Sequence, residues 1–438
     1  MSGTYVESSY PNFRKFVETG VKFPTGSDWL RAKRKVDNLG STSLWRVHDK
    51  LYNLSSFIDL HPGGRDWIET TRGTDITEAF ETSHLVNVEK VDAILAKYYV
   101  RDADVGHVRN SPYTFEEDGF YKTLKRRVRP LLEEIGTGPS PALTMLQDSL
   151  VLLYATTALV GASYSSTLVQ IMSGFLLGMS VVCAHNFAHM KDTWRRFYLD
   201  LCPFTSYDFR ITHNLSHHMF PNTVLDYESE SLSIILDTRP GKDKRGYIRG
   251  VATPFLAHIF YTQLFTLSFI SWIRLLFRKE VRPEQGLIAL QVLGFFYFSP
   301  DILTGIKCFL IVFAGASYWI GFLSNSHHHP ACFHDGDQPI SDCDFGLRQL
   351  DTVLEKNDAV HSTLLAISTT FGEHPLHHLF PTVCQSKLSM LKPIFEQTLE
   401  EFQTKNRKVT QLELFRGTYQ QYMRDKELTY DERKKNLP

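Results

Sequence analysis

Apolar and polar positions divide this chain into a polar first third, a middle built from long apolar runs, and a polar, charged end. Pro141–Ser163 and 167–187 are each about twenty residues long, enough to cross a bilayer core. The short GASYSS joint between them suits a tight hairpin. A polar loop over 190–250 leads to three further apolar pieces, 251–277, 286–299 and 302–323. Upstream, 45–54 (WRVHDKLYNL) has the β-branched and aromatic content of strands. VEKVDAILAKYYV, near 100, has the periodicity of an amphipathic helix. Residues 1–40 are polar and basic, with RAKRK at 31–35, and are expected to form a solvated extension. Residues 106–140 are charged and then Gly/Pro-rich. They predict a linker with a short interfacial helix whose Lys125, Arg126, Arg127 and Arg129 face anionic headgroups.

Histidines change the picture. They gather at the ends of the apolar runs, in HNFAHM (His185, His189), HNLSHH (His213, His217, His218), SNSHHH (His327, His328, His329) and HPLHH (His374, His377, His378). Imidazole suits iron, zinc and copper, and ionisable groups at membrane depth are costly and usually functional. On a helix, residues at i, i+3 and i+4 share a face, so each box presents its rings together. Three boxes beside apolar runs predict a polynuclear metal site at a membrane face. If the boxes share one site, an even number of crossings separates them, and one of the three later apolar pieces does not cross. The shortest is 286–299, but leaving it uncrossed puts Arg274, Arg278, Lys279 and Arg282 on the lumenal side, against the positive-inside trend. The alternative lays 251–277 in the interface and turns at Ser299, Pro300 and Asp301, and the charge favours it. Either arrangement gives four spans.

The 438 residues are enough for two or three domains. A net charge of -1 supplies no basic field for nucleic acid. Mean hydropathy is only -0.19, as expected where a soluble domain dilutes membrane spans. The six cysteines form no CxxC pair and read as reduced thiols. The first residues lack the pattern of a cleaved signal peptide.

Before the membrane region stands HPGG (His61, Pro62, Gly63, Gly64), then GTDITEAFETSHL ending on His84. Proline and two glycines fix a turn directly after His61 and aim its ring. Two histidines on opposing elements can clamp a haem iron from both faces, leaving no open position, so such a site carries electrons. This segment resembles cytochrome b5, and His61 and His84 match that family's axial ligands. The resemblance implies a bound haem b.

The three boxes, in order over roughly 140–400, resemble the membrane fatty acid desaturase and hydroxylase superfamily, here in its cytochrome b5-fused form. The resemblance implies an α+β cytochrome b5-like domain fused to an all-α, four-span membrane domain with cytosolic boxes. The expected layout is an extension at 1–40, the haem domain at 41–105, a linker at 106–140, the desaturase domain at 141–400 and a cytosolic tail at 401–438. It also implies a di-iron centre held by His185, His189, His213, His217, His218, His374, His377 and His378, with Asn325 and His329 matching a further NxxxH motif. No catalytic residue beyond the metal ligands is implied. Two features depart from the front-end desaturases of lipids, which carry an N-terminal cytochrome b5 domain. The third box opens on His374 where they carry Gln, and the second is HxxxHH where they carry HxxHH. The implied activity is insertion of a C=C bond into an acyl lipid or acyl-CoA with O2. Electrons would come from NADH–cytochrome b5 reductase through the haem. The implied setting is the endoplasmic reticulum membrane, multi-pass, with both termini cytosolic. Rival readings are a lipid hydroxylase of the same superfamily and a membrane-anchored electron carrier whose di-iron domain is inactive. A zinc protein fits less well, because zinc prefers four ligands. Trp194, Tyr198, Tyr207 and Trp319 are candidates to line an acyl tunnel, although an interfacial aromatic belt accounts for each of them better.

Overall fold

The computed structural model describes residues 3–19, 24–104, 106, 108–233, 236–241, 247–278, 281–323, 328–357 and 363–436. The chain opens with an antiparallel hairpin, β1 (Gly3–Glu7) and β2 (Arg14–Glu18). Helix α1 (Gly26–Asp37) follows. A capping box between Thr25 and Asp28 starts it, and Asn38 in the left-handed region ends it. This segment is not the solvated extension its charge suggested. Tyr10 and Phe13 are fully buried, Phe13 stacks on Phe220, and the Trp29 indole donates to the Leu225 carbonyl at 2.8 Å. Even Lys33 of the RAKRK run is buried, paired with Asp37 at 2.8 Å. The charges alternate with Trp29, Leu30, Ala32 and Val36, so α1 carries an apolar face that outweighs its polar one.

The haem-type domain has a three-stranded sheet in the order β3 (Trp45–Val47), β4 (Lys50–Tyr52), β5 (Tyr99–Asp102). Two short helices, α2 (Arg65–Thr70) and α3 (Thr77–Ser83), lie between β4 and β5 in the chain, with His61 just before the first and His84 at the end of the second. Trp45, Val47, Tyr52, Leu54, Ile58 and Ile68 form its small core.

Helix α4 (Phe120–Ile135) lies in the segment expected at the headgroups. Its cations pair with carboxylates instead, Arg126 with the exposed Glu117. Lys122 and Lys125 both reach Glu81 at 2.8 Å, Arg129 reaches Glu89 at 2.9 Å and Arg127 reaches Glu401 at 2.5 Å. The opposite face buries Phe120, Tyr121, Leu124, Val128 and Leu132. The helix is thus a bridge between domains, and its acidic partners lie far off in the sequence.

The membrane helices are α5 (Pro141–Ser163), α6 (Thr167–His189), α7 (Tyr247–Arg278), α8 (Gly286–Phe298) and α9 (Ile302–Tyr318), the last prolonged by a π turn, Trp319–Leu323. Four segments are long and apolar enough to cross a bilayer: Pro141–Ser163, Thr167–His189, Phe255–Phe277 and Ile302–Leu323. Helix α8 has 13 residues, and with the 3-10 turn Pro283–Gln285 directly ahead of it the segment rises about 26 Å, against a core of about 30 Å. Small residues let α6 and α9 approach closely, and a Cβ at Gly174 would sit 2.7 Å from the Val312 carbonyl oxygen. Just past α7, Arg282 stacks on Tyr207 at 4.2 Å and lies 3.7 Å from Asp66 of the haem-type domain. The α7–α8 joint is therefore on the side of the second histidine box, while Phe255–Phe277 is itself long and apolar enough to cross.

The rest is α10 (Phe345–Thr352), α11 (His374–Leu379), α12 (Gln385–Glu401), α13 (Gln411–Met423) and α14 (Tyr430–Lys434). The tail, expected to be helical, is so in part, with a two-residue strand at Lys408–Val409 ahead of α13 and an irregular stretch between α13 and α14, and it does not hang free. Arg433 is buried and holds Asp351 at 2.6 and 2.8 Å, and Arg424 holds Asp337 at 2.5 and 2.7 Å.

Candidate metal centres

His61 and His84 face each other with ring centroids 6.4 Å apart. His61 Nδ1 donates to the Gly64 carbonyl and His84 Nδ1 to the Phe80 carbonyl, both at 2.9 Å. Each bond fixes the tautomer and leaves Nε2 as a bare donor. Two metal–nitrogen bonds of about 2 Å, plus about 1 Å from nitrogen to centroid on each ring, account for the separation. The pair thus fits one ion that both rings would hold. Burial pushes the His84 imidazole down to about 4, so it is neutral and ligand-competent near pH 7.

The second centre lies where α6, a π-helical segment Arg210–His217 and α11 meet. All eight box histidines are buried there. His185 Nε2 lies 2.9 Å from both His189 Nε2 and His377 Nε2, and His213 Nε2 lies 3.0 Å from His218 Nε2. These five rings offer nitrogens that all lie within 4.8 Å of one another. A neutral imidazole has one N–H and one lone pair, so His185 Nε2, which faces two other Nε2 atoms, can pair fully with only one of them. The Nδ1 atoms of His185, His218 and His377 are buried without a hydrogen-bond partner. A cation among the converging Nε2 atoms would take up their lone pairs together, and the all-imidazole donor set suits iron. Burial first, and neighbouring histidines next, hold His218, His374 and His377 well below the usual imidazole range, with their lone pairs available.

The π turn explains the second box. Its i→i+5 bond, His218 N–H to the His213 carbonyl at 2.8 Å, puts His213 and His218 on one face. Helical spacing had paired His213 with His217. The extra residue of HxxxHH is absorbed by this turn, and His217 points instead toward Asp226 and His378.

Three anchoring residues escaped the sequence reading. Glu228 accepts from His213 Nδ1 at 2.6 Å, Asp226 accepts from His217 Nδ1 at 3.1 Å, and Gln349 Oε1 accepts from His378 Nδ1 at 3.1 Å. Such partners orient ligand rings and raise their basicity. Burial opposes charge on His217, but Asp226 and Glu228 outweigh it and push the group up to about 9. The only hint in the sequence was DYESES, eight residues after the second box. His213, His217 and Glu228 themselves form a second group with metal-ligating spacing.

The fourth histidine cluster behaves differently. Asn325 and His327 lie outside the described residues. His329, expected as a ligand, faces away from the box histidines. Its ring lies against Gly417 of α13, where a Cβ would collide with it, and its Nδ1 accepts from Ala331 N–H at 3.0 Å. Of the two described histidines of this run, His328 is the one turned toward the centre. It is buried, hydrogen-bonded to the Tyr422 hydroxyl at 3.3 Å, and feels the charges of Asp226, His217 and Glu228. In a three-histidine run the register that meets α13 is set by the tail, which helical counting could not include. Of the tunnel candidates, Tyr198 donates to Asp148 at 3.0 Å, Trp319 to the Thr369 carbonyl at 2.8 Å, and Trp194 is largely exposed.

A family model described as fatty acid desaturase matches residues 163–408, and one described as cytochrome b5-like heme/steroid binding domain matches residues 28–104. The second match takes in α1, ahead of the expected boundary at 41. The chain is 34% identical to the cytochrome b5-related protein of Drosophila melanogaster, over 92% of this chain and 94% of that protein. It is 22% identical to Delta(5) fatty acid desaturase A of Dictyostelium discoideum, over 90% and 91% of the two chains. It is also 22% identical to the acyl-lipid (8-3)-desaturase of Mortierella alpina, over 81% and 87%. No solved structure matches significantly. The first domain implies haem and an electron donor, the second implies iron, O2 and a lipid substrate, and the apolar helices mark a membrane protein. This chain belongs to the fatty acid desaturase family and carries a cytochrome b5-like domain ahead of its membrane helices.

Proposed function

We propose that the chain is a membrane-bound acyl-lipid or fatty acid desaturase, using O2 and electrons supplied through its own haem domain. The observation that carries this is the convergence of box histidines 185, 189, 213, 218 and 377 on one buried centre, in the same chain as a bis-histidine haem pocket. His61 and His84 would hold haem b. The box histidines, with His328 in the role first given to His329, would hold two iron ions. Iron in such a centre supplies the oxidant needed to take hydrogen from an unactivated methylene pair. The balanced reaction converts CH2–CH2, O2, two electrons and two protons into CH=CH and two waters. Glu228, Asp226 and Gln349 hold rings in place, and α5, α6 and α9 exclude water from the acyl chain. The donor would be NADH–cytochrome b5 reductase at the endoplasmic reticulum. Both termini and Arg282 would be cytosolic, with 251–277 along the interface. A glycosylation acceptor inserted beside Arg282 should stay unmodified, and its modification would return the crossing to that helix.

The main test is iron and haem quantification on purified protein, together with lipid analysis of an expressing yeast strain. Two irons beyond the haem iron, and a lipid lighter by two hydrogens, are expected. A product heavier by one oxygen would make it a hydroxylase. The electron-carrier reading has one observation in its favour: the relative at 34% identity is named for its cytochrome and not for a desaturase. Haem without a second iron pool and without new lipid would establish that reading.

A further inference from the structure

We propose that the haem domain works from a docked position, clamped to the membrane domain on both its ligand-bearing sides, and does not swing on a tether. On the His84 side, the next residue, Leu85, is fully buried in one core with Leu215, Met219, Leu376 and Leu379. Met219 directly follows His218, and its sulfur meets the Thr82 hydroxyl at 3.9 Å. The Tyr121 hydroxyl lies 3.3 Å from the carbonyls of both Glu81 and Leu379, and Leu379 follows His378. Glu81 draws in Lys122 and Lys125 from α4, both at 2.8 Å.

The His61 side is held independently. Asp192 N–H donates to the Gly63 carbonyl at 3.1 Å, and Asp66 pairs with Arg196 at 3.1 Å. Arg210 lies over the Trp67 ring at 4.4 Å while its Nε donates to the Ala188 carbonyl, beside His189. Gly64 has φ of +114, and a Cβ there would strike the Asp192 carboxylate. The loop that aims His61 is therefore shaped for this contact as well as for its own turn.

An apolar core continuous across a domain boundary is unlike the polar surface that mobile domains share. Met219, Tyr121 and Arg210 are positioning residues that set the spacing between the two histidine centres. The use of that spacing, one electron at a time from a flavoprotein reductase across the haem domain, rests on the function proposed above; the docking does not.

The test is the full-length, haem-loaded Asp66→Cys/Arg196→Cys variant treated with a short bis-maleimide, with both single variants as controls. We expect near-complete intramolecular bridging seen by mass spectrometry, an unchanged haem absorption band, and the same rate of haem reoxidation in air as the untreated protein. Sparse bridging, or reoxidation slowed by an order of magnitude once bridged, would overturn the proposal, since either means the domain leaves this position. In the unmodified chain, hydrogen exchange at Thr82–Leu85 should be as slow as at Leu376–Phe380. Exchange as fast as that of an exposed loop would overturn it too. Absence of desaturated lipid from every form would count against the proposed reaction alone, because bridging and exchange are read without turnover.

Discussion

The two histidine centres solve one problem in different ways. In the haem pair, two rings 23 residues apart are each aimed by a carbonyl within four residues of the histidine itself. In the box centre, the rings come from positions 185 to 378. Their anchors are a glutamate 15 residues away, an aspartate nine away and a glutamine 29 away. A locally aimed ligand carries its orientation in its own turn. A ligand gathered from distant helices needs side chains brought by other elements, and those side chains can be removed singly. The comparison teaches that the haem site resists anchor mutation and the box centre does not.

The largest effects come from the ligands. His84→Ala should abolish haem binding, seen as loss of the absorption band, while leaving the iron content of the box centre in place. His377→Ala should remove box-centre iron and any lipid product, with the haem band unchanged. Reciprocal loss establishes two separate centres. Loss of both metals from either variant would mean that the sites fold as one unit.

Much of this contrast was legible in the chain. HPGG followed by ITEAFETSHL pointed to His61 and His84, whose rings do face each other, because their geometry is local. The boxes were legible by spacing, and the i, i+4 pair His185 and His189 meets as a helix dictates. What failed was whatever depends on distant partners. The π turn at Arg210–His217 is invisible to 3.6-residue counting. The basic face of α4 looked like a membrane surface because Glu81, Glu89 and Glu401 could not be placed opposite it. RAKRK looked solvated because α1 reveals its buried side only against Leu225 and Phe220. His329 failed for the same reason, since the tail that claims it begins eighty residues later.

The next effect separates the centres by pH. In the metal-free chain, Asp226 and Glu228 hold His217 up to about 9, above the ordinary 6.5. The native state therefore binds the proton more tightly, and this contribution to stability is full below 6.5 and lost as pH rises through 9. Metal binding has the opposite sign. A ligating His217 must give up its proton, so apparent iron affinity should climb about tenfold per pH unit between 7 and 9 and then level off. Haem affinity should stay flat over that range, because His84 is already neutral above about 4. Equal slopes in a titration of both cofactors would erase the distinction. Glu228→Gln comes next. It keeps an oxygen near His213 Nδ1 but removes the charge, and losing the partner that orients a ligand ring weakens metal binding about 10- to 100-fold. Chelator competition should show that loss with the haem band untouched.

The smallest expected effect is at Gln349. It is fully buried, accepts from His378 Nδ1 at 3.1 Å and donates to the His218 carbonyl at 3.0 Å, so one neutral side chain spans the second and third boxes. Gln349→Leu conserves volume and removes both bonds. A neutral hydrogen bond contributes about 0.5–1.5 kcal/mol net, so iron affinity should fall a few-fold, less than for the carboxylate anchor. If Gln349→Leu costs as much as Glu228→Gln, charge is not what distinguishes the anchors, and the box centre depends on ring orientation alone. If it costs nothing, His378 is held by its stacking on His218 at 4.3 Å and on His374 at 4.8 Å. That ring would then be aimed by its neighbours in the site, an arrangement the two-ring haem pocket cannot provide.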